Sequence, residues 1–584
     1  MTITNSNVEV NDTTSKGAYY IIKANNAGAI SVKNNTVSSN TTNGNNVFLI
    51  GKNNTGVDVD ELNLTLQRSN PNKLESTLTS ESKVLDVDEN VVNLTFSNSE
   101  VTVDNNTAGN NVFVQSKNTG IANLQNVTIN SDCISGQNTV VNLENSVQTN
   151  IDNFHFTGDS TGTAKFIKVS NNSAVATIND VSFNGQSTKE QFYGISFSGK
   201  QADITKVNID AKAVTSFSGI GISNKAEIEN MTDVTVKGYQ SAGNRMYGIQ
   251  DYAKQSTIIN PVVNIKYDGG SSAYGVWTTG DKTDITNLSS EVTTKNGSCD
   301  GAVIGSTVGI IKGCKINADS TNGAGAMGMQ LKSDSGSISA SDDFPVSVFG
   351  KEWGIQRTVP GGKFIVNNGT FTSCSHPAYI CSNIEFNNSV FYLDRVENYE
   401  NQDNIQTVGG IYFGTGSDWN VTGTEKAVFN NCQIGSPLEC NNLAQHCIVD
   451  QTAREYLDPE SVDFNNCTLY SGSKDLIAFQ AGYFTAEDGL SPIDFPCKTK
   501  FNINEGTTLY VRDTSSGTIS YREYTADDLA KDVLASRRTR TVDSTRYNSV
   551  QEIRSGPIFF TEFIDSDGNV SPLWTDSANV YDNR

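Results

Sequence analysis

The sequence predicts an all-β solenoid in which short parallel strands wind through successive coils. Three observations predict it: a phrase that returns at a fixed spacing, short runs of strand-forming residues, and turn-forming residues between those runs. In the phrase, an apolar residue follows a small one, about every 27 residues between positions 193 and 329. A fixed period of this size is typical of repeat architectures. The repeats are Tyr193-Gly194-Ile195, Ile220-Gly221-Ile222, Tyr247-Gly248-Ile249, Tyr274-Gly275-Val276, Gly301-Ala302-Val303 and Met327-Gly328-Met329.

The last residue of each phrase marks a position that we expect to stack in one column inside the solenoid. The same spacing extends the column in both directions, with longer gaps where loops are inserted. Upstream it predicts Ile167, Val140, Phe113, Leu85 and Phe48, and downstream it predicts Ile355, Ile380, Ile411, Ile448 and Ile477.

The segments between these positions indicate strands and turns rather than helices. The apolar runs are short and rich in Val, Ile, Phe and Thr, which favours strands. Asn, Gly, Ser, Thr and Asp separate them, as expected for turns. Three strands and three turns in each repeat form one coil of a parallel β-helix. The column positions, which allow for inserted loops, predict about sixteen such coils.

A second phrase repeats in the C-terminal half and predicts a ladder of asparagine side chains. Stacked coils place equivalent residues above one another, so paired asparagines should hydrogen-bond at a turn. The phrases are Val366-Asn367-Asn368-Gly369, Phe386-Asn387-Asn388-Ser389, Phe429-Asn430-Asn431-Cys432 and Phe464-Asn465-Asn466-Cys467.

Charge and hydropathy exclude some classes of partner. The 584 residues carry a net charge of −22, so nucleic acid is not an expected partner. Residues 1–20 lack the apolar core of a signal peptide, and no segment approaches 18 continuous apolar residues. We therefore expect synthesis and folding in a cytoplasm, without membrane insertion. No cofactor motif is present.

The ten cysteines show no CxxC spacing, which argues against a zinc site. Cys432 and Cys467 occupy one repeat position that faces inward, so we expect stacked free thiols rather than disulfides. The three histidines, His155, His376 and His446, are scattered, and each is predicted to be a turn or surface residue.

Changes in composition divide the chain into three parts. Residues 1–17 are expected to form a polar arm or a short capping strand, and residues 18–511 the β-helix. Inserted loops are expected within 342–460, with helical spacing around Leu443–Tyr456. Residues 512–584 are expected to form a small α/β cap or docking region with one helix at Ala526–Ser536, for which Thr525 is the predicted N-cap.

Aromatic residues become dense after position 342, where loops should leave the scaffold. Side chains with broad apolar faces can stack on sugar rings, although they can equally fill wide coils. The candidates for carbohydrate binding are Trp353, Tyr392, Tyr399 and Trp419.

Acidic residues near these aromatics are the candidates for catalysis, because cleavage of a glycosidic bond needs two carboxyl groups at a suitable separation. A solvated acidic surface explains them as well, and no catalytic residue is assigned. The candidate acids for catalysis are Asp342, Asp343, Glu352, Asp394, Glu397 and Glu400.

No metal site is assigned either. The segment Val57-Asp58-Val59-Asp60-Glu61 and its near-copy at 85–89 fit either a calcium site or an acidic strand edge.

The repeat, the Asn-Asn turns and the Ser/Thr/Asn-rich coils resemble right-handed parallel β-helix proteins over residues 18–511. Within that group the absence of a signal favours bacteriophage tailspikes and fibres. This resemblance implies a virion structural protein that attaches to the host surface. It implies a homotrimer joined through residues 512–584 or the N-terminal arm, with other virion proteins and a host-surface glycan as partners. A polysaccharide-degrading β-helix enzyme and a structural decoration protein without a ligand are the alternatives.

Overall fold

The chain forms two compact units, Met1–Cys299 with Ser320–Gly323 and Asp300–Asp319 with Ala324–Arg584. The structure, a computed structural model, describes residues 1–12, 18–42, 44–68, 81–87, 90–322, 325–342, 344–357, 359, 362–380, 382–394, 409–413, 426–435, 446–451, 461–471, 477–480, 500–504, 506–513, 515–518, 520–523, 541–542, 552–553, 560–564 and 570–571.

The predicted all-β, parallel β-helix fold is confirmed. Every regular element among the described residues is a strand, and about 13 turns are present over the two units rather than about sixteen. The helix predicted at Ala526–Ser536 lies outside the described residues, and so does most of the predicted α/β cap.

Unit 1 consists of strands that pair in parallel with the equivalent strands of the next coil. Its strands are β1 (Thr2–Thr4), β2 (Asn7–Asp12), β3 (Tyr19–Asn25), β4 (Ala29–Thr41), β5 (Asn46–Lys52), β6 (Gly56–Arg68), β7 (Ser82–Val87), β8 (Asn93–Ala108), β9 (Asn111–Lys117), β10 (Ile121–Ser135), β11 (Asn138–Glu144), β12 (Gln148–Ser160), β13 (Ala164–Ser170), β14 (Val175–Gln186), β15 (Gln191–Ser198), β16 (Gln201–Ala213), β17 (Ser216–Ile222), β18 (Ile228–Thr232), β19 (Thr235–Gln240), β20 (Met246–Asp251), β21 (Gln255–Ile259), β22 (Val262–Tyr267) and β23 (Ser272–Thr294).

Unit 2 follows the same plan with shorter strands. It contains residues 300–319 of β24 (Ser298–Ser320), then β25 (Ala326–Leu331), β26 (Ser335–Ser339), β27 (Val346–Gly350), β28 (Trp353–Arg357), β29 (Phe364–Asn367), β30 (Gly369–Ser373), β31 (His376–Ile380), β32 (Ile384–Asn387), β33 (Val390–Leu393), β34 (Gly409–Phe413), β35 (Lys426–Asn430), β36 (Gln433–Ile434), β37 (His446–Gln451), β38 (Ser461–Asn465), β39 (Thr468–Ser471), β40 (Ile477–Gln480), β41 (Lys500–Ile503), β42 (Thr508–Asp513), β43 (Ser520–Glu523), β44 (Thr541–Val542), β45 (Glu552–Ile553), β46 (Phe560–Ile564) and β47 (Val570–Ser571).

The corners between strands depend on residues with a left-handed backbone. Asparagine tolerates this conformation better than most residues, because its short side chain bonds locally. In unit 1 one corner recurs in successive coils at Asn34, Glu61, Asn98, Asn126, Asn153, Asp180, Lys206, Asp233, Asn260 and Asn287, all with φ between 48° and 57°.

The predicted internal column of apolar residues exists, but at some coils the residue in register differs from the predicted one by one or two positions. Ile195 pairs with Ile220, which pairs with Ile249, and Ile249 pairs with Val276. The prediction of Ile222 was therefore wrong by two residues, although Ile222 is itself buried and aligns with Phe197. The reason is that residues two apart face the same side of a strand, so both isoleucines of Ile220-Gly221-Ile222 face inward and the phrase does not distinguish them.

Similar shifts occur elsewhere in the column. Val141 rather than Val140 pairs with Ile167, and Val114 rather than Phe113 pairs with Leu85. Leu49 rather than Phe48 pairs with Leu85, and Ala378 rather than Ile380 pairs with Ile355. The displaced residues remain in the core, because two adjacent side chains can both be buried where a strand bends, and residues two apart, such as Ala378 and Ile380, face the same side.

The N-terminal residues join the first coils of unit 1. Strands β1 and β2 both pair in parallel with β4, as a capping strand would. In unit 2 the helical spacing predicted around Leu443–Tyr456 was wrong for its described part. His446–Gln451 is a strand that pairs with β34 and β40, and backbone pairing with both neighbours overrides the local pattern.

The predicted stacking of thiols in unit 2 is confirmed. Cys432 and Cys467 are buried and free. Contact with Cys467, together with burial, raises the pKa of the Cys432 thiol above its usual range, which suits a structural thiol rather than a reactive one.

Candidate functional site

Two of the four predicted carbohydrate-binding residues lie among the described residues. Trp353 opens β28 and is half-buried, and Tyr392 lies on β33. They belong to different strand columns, because Trp353 pairs with His376 whereas Tyr392 pairs with Thr372. Tyr399 and Trp419 lie outside the described residues. The prediction of these four as a binding set stays a prediction.

Trp353 belongs to an aromatic cluster on β28, β31 and β34 of unit 2. Its ring stacks on His376, with centroids 4.8 Å apart and planes 16° apart. Tyr379 lies 4.6 Å away and Tyr412 lies 5.2 Å away. Both tyrosines are only 8% exposed, so most of the cluster is covered. His376 is buried on a strand, contrary to the predicted turn or surface position, because its ring completes this stack.

Glu352 precedes Trp353, and its carboxyl lies in a setting that changes its pKa. Burial raises its pKa, while the main-chain N–H of Gly325 and the Trp353 side chain donate hydrogen bonds to it and oppose the rise. The main-chain N–H of His376 also donates to the Glu352 carbonyl at 3.0 Å. A carboxyl group in such a setting can act as a general acid.

Asp394 lies at the same corner of the coil as Glu352, with one coil between them. Main-chain hydrogen bonds connect this corner from Cys374 N to Lys351 O and from Asp394 N to Ser373 O. Asp342 lies between β26 and β27, before the strand that leads to this corner. Asp343, Glu397 and Glu400 lie outside the described residues.

A second aromatic surface, in unit 1, was missed by the sequence reasoning. Tyr247 on β20 pairs in register with Tyr274 on β23, and Gln250 pairs with Trp277. The Tyr247 and Tyr274 rings stack with centroids 5.2 Å apart and planes 16° apart. Trp277 packs against Tyr274 at 4.6 Å and lies 6.0 Å from Tyr247. All three rings are half-buried, and we call them the unit 1 aromatic ladder.

The signal for this ladder was present in the repeat phrase itself. Side chains alternate between the two faces of a strand, so the residue before an inward-facing glycine faces outward. That residue is aromatic in Tyr247-Gly248 and Tyr274-Gly275, and also in Tyr193-Gly194. The sequence analysis interpreted only the last residue of each repeat phrase, which faces the core, and not the aromatic residue that precedes the glycine.

Polar groups flank the unit 1 aromatic ladder. The exposed Arg245 guanidinium contacts Tyr247, and this hydrogen bond, with the neighbouring Tyr274, raises the pKa of Arg245. Gln250 Nε2 donates to the Tyr252 hydroxyl at 2.5 Å. The surface therefore combines aromatic rings with a cation and an amide, the groups that bind sugar rings and their hydroxyl or carboxylate substituents.

The acidic repeat considered for calcium has protein partners in unit 1. Lys33 pairs with Asp58 at 3.0 Å. Asp60 accepts hydrogen bonds from Ser97 at 2.8 Å and from Asn98 at 2.9 Å. In the described part of the chain, no group of three or more His, Cys, Asp or Glu side chains is placed to hold a metal ion.

Comparison with known proteins gives no relative for this chain. No protein-family model, no curated protein and no solved structure matches it. Within the described residues, no helix has the length and apolar character needed to span a membrane.

Proposed function

We propose that this chain is a structural protein of a bacteriophage particle, of tailspike or fibre type, that attaches to a glycan on the host surface. The observation that carries the proposal is the unit 1 aromatic ladder, in which Tyr247, Tyr274 and Trp277 are held in register by parallel strands. Such a surface is rigid before it meets a ligand, so little conformational entropy is lost on binding.

The arrangement of the ladder supports a linear glycan as the ligand. Equivalent residues on neighbouring coils are about 4.8 Å apart, so the two stacked tyrosine rings present their edges and hydroxyl groups at a regular step. Aromatic rings contribute apolar area to the faces of sugar rings. Arg245 adds a cation beside them, which favours glycans that carry carboxylate or phosphate groups.

The virion assignment rests on the resemblance to phage β-helix proteins. It also implies other virion proteins as partners, assembly as a homotrimer and localisation in the virion after synthesis in the host cytoplasm. Light scattering of the purified chain at micromolar concentration tests the assembly. A trimer is the expected result, and a monomer would contradict that part of the proposal.

Binding to a panel of bacterial capsule and envelope polysaccharides tests the main proposal. Tyr274→Ala and Trp277→Ala should each weaken binding by about tenfold or more, as is common for aromatic hot spots. Val262→Ala, at an exposed position on β22, is the matched control and should bind as the unchanged protein does. Trp353→Ala and Tyr392→Ala test the sites predicted from sequence. A protein that binds no glycan in the panel would be left with the structural decoration role.

One observation favours a polysaccharide-degrading enzyme as the second candidate. Glu352, whose pKa is raised, and Asp394 share a corner, and two coil steps separate them by about 10 Å of rise. This rise slightly exceeds the separation of about 6.5–9.5 Å between the carboxyl groups of inverting glycosidases, so the two side chains would have to lean towards each other to act as a pair. Measurement of glycan chain length during binding distinguishes the two functions. Shortening that is lost in both Glu352→Gln and Asp394→Asn would establish the enzyme.

A further inference from the structure

A group of buried oxygen atoms lies inside the coils that carry the unit 1 aromatic ladder. Glu229 on β18 and Asp251 on β20 are both 0% exposed. Ser256 on β21 pairs in register with Glu229, and Thr278 on β23 pairs in register with Asp251. Both hydroxyl residues are buried as well. The four residues therefore come from neighbouring coils and point into the same core.

The side chains of this group are close to one another. Glu229 and Asp251 each affect the pKa of the other, and Ser256 affects that of Asp251, so these three side chains are near neighbours in the core. The third neighbour of Asp251 is the main chain of Ala253, whose N–H donates to Oδ1 at 2.9 Å.

Five oxygen atoms of the group have no hydrogen-bond partner of acceptable geometry in the structure. They are Glu229 Oε1 and Oε2, Asp251 Oδ2, Ser256 Oγ and Thr278 Oγ1. Buried polar atoms are nearly always paired, because each unpaired atom costs about 1–3 kcal/mol. Five such atoms in one place indicate that a partner belongs there.

The charges of the group indicate the sign of that partner. Glu229 and Asp251 are both carboxyl groups, and the further charged group that acts on Glu229 is the carboxyl of Asp203. No Lys or Arg is among the groups that act on either carboxyl. Two carboxyl groups thus lie in the core without a countercharge from the described chain.

A shared proton does not satisfy this group. It would join Glu229 to Asp251 through one oxygen of each and would leave the second Glu229 oxygen, Ser256 Oγ and Thr278 Oγ1 as they are. A hard cation accepts six to eight oxygen ligands at once, including carboxylates, hydroxyls and carbonyls. We propose that Glu229, Asp251, Ser256 and Thr278 form an internal binding site for one calcium ion.

Metal analysis of the full-length protein tests the site directly. After dialysis against buffer with 1 mM calcium and then against metal-free buffer, about one calcium ion per chain should remain. Chelation with EDTA should lower the melting temperature and speed hydrogen exchange in β18, β20 and β21, because the ion binds only the folded state. Calcium should restore both, and magnesium should do so less well because it prefers a smaller octahedral site.

The double variant Glu229→Gln/Asp251→Asn keeps the size of both side chains and removes their charge. It should fold, bind no calcium and show no response to EDTA. Asp300→Asn is the matched control, because Asp300 is also a buried carboxyl but accepts a hydrogen bond from Gln330 at 2.9 Å. This control should retain the calcium and the EDTA response. A parent protein with no bound calcium and no calcium-dependent protection at pH 8 would overturn the proposal and leave a shared proton.

Discussion

Asn430 Nδ2 donates a 2.8 Å hydrogen bond to Asn387 Oδ1, although the two residues are 43 positions apart in the sequence. The same bond joins Asn387 to Asn367 at 3.0 Å and Asn465 to Asn430 at 2.8 Å. A parallel row from Asn466 to Asn431 to Asn388 lies on the following residues. The predicted asparagine ladder is therefore confirmed, and it connects coils that inserted segments separate in sequence.

Replacement of one rung should weaken this corner of unit 2. Asn430→Ala removes the donor to Asn387 and the acceptor for Asn465, so we expect a loss of about 1–3 kcal/mol in the free energy of unfolding. Urea unfolding measures it. Asn130→Ala, on an exposed position of β10, is the control and should change stability by less than about 0.5 kcal/mol. Equal stability of the two variants would show that the ladder contributes nothing.

Substitutions in the internal apolar column should destabilise the protein more than substitutions in the asparagine ladder. Ile249 is fully buried between Ile220 and Val276. Ile249→Asp buries an unpaired charge and should destabilise unit 1 by about 4 kcal/mol or more. Ile249→Val leaves a small cavity and should lose about 0.5–1.5 kcal/mol. Soluble, normally folded Ile249→Asp protein would contradict the inward position of this residue.

The repeat predicted the architecture because a solenoid repeats the same physical requirement in every coil. An inward apolar residue and a turn-forming asparagine recur at each step, so their spacing is visible in one sequence. Register was harder to predict, since Ile220 and Ile222 are both apolar and both buried. Backbone pairing with Ile195 and Ile249 decides between them, and that pairing is not visible in the phrase.

Sites that break the repeat were the least predictable. Glu229 occupies a position that is Ala202 in the preceding coil and Ser256 in the next, so it interrupts an otherwise small inward column. From sequence alone, a single glutamate such as Glu229 is expected at the surface, and only the alignment of the coils shows that its side chain faces the core. The unit 1 aromatic ladder was missed for the opposite reason, because Tyr247 and Tyr274 matched the repeat and were assigned to it.

Arg357 should be among the most sensitive charged residues of unit 2. Its guanidinium is fully buried and donates to four main-chain carbonyls at 2.7–3.1 Å, those of Ser333, Asp334, Gly362 and Asn383. Arg357→Met fits the space but leaves these carbonyls unpaired, so we expect a loss of about 3 kcal/mol or more. Arg357→Lys retains the charge without the planar fork and should lose less. Thermal unfolding of both variants gives the comparison, and a neutral Arg357→Met would contradict this role.

The raised pKa of the Asp300 carboxyl should make the stability of unit 2 depend on pH. Burial raises the pKa of its carboxyl to about 7, although Gln330 donates to it and Lys332 is nearby. The unfolded chain has an ordinary carboxyl pKa of about 3.9, so between about pH 4 and 7 the folded state binds more protons than the unfolded state. The free energy of unfolding should therefore fall as pH rises through this window and level off above it.

Asp300→Asn isolates this contribution from those of other acids. The amide oxygen can still accept the Gln330 hydrogen bond, but the side chain cannot ionise. We expect the variant to be more stable than the parent at pH 8 and the difference to vanish towards pH 4, because each unit of pKa shift corresponds to about 1.4 kcal/mol. Urea unfolding of both proteins from pH 4 to 8 measures this difference. A difference that is independent of pH, or that favours the parent at pH 8, would show that the Asp300 carboxyl does not titrate with a raised pKa in the folded protein.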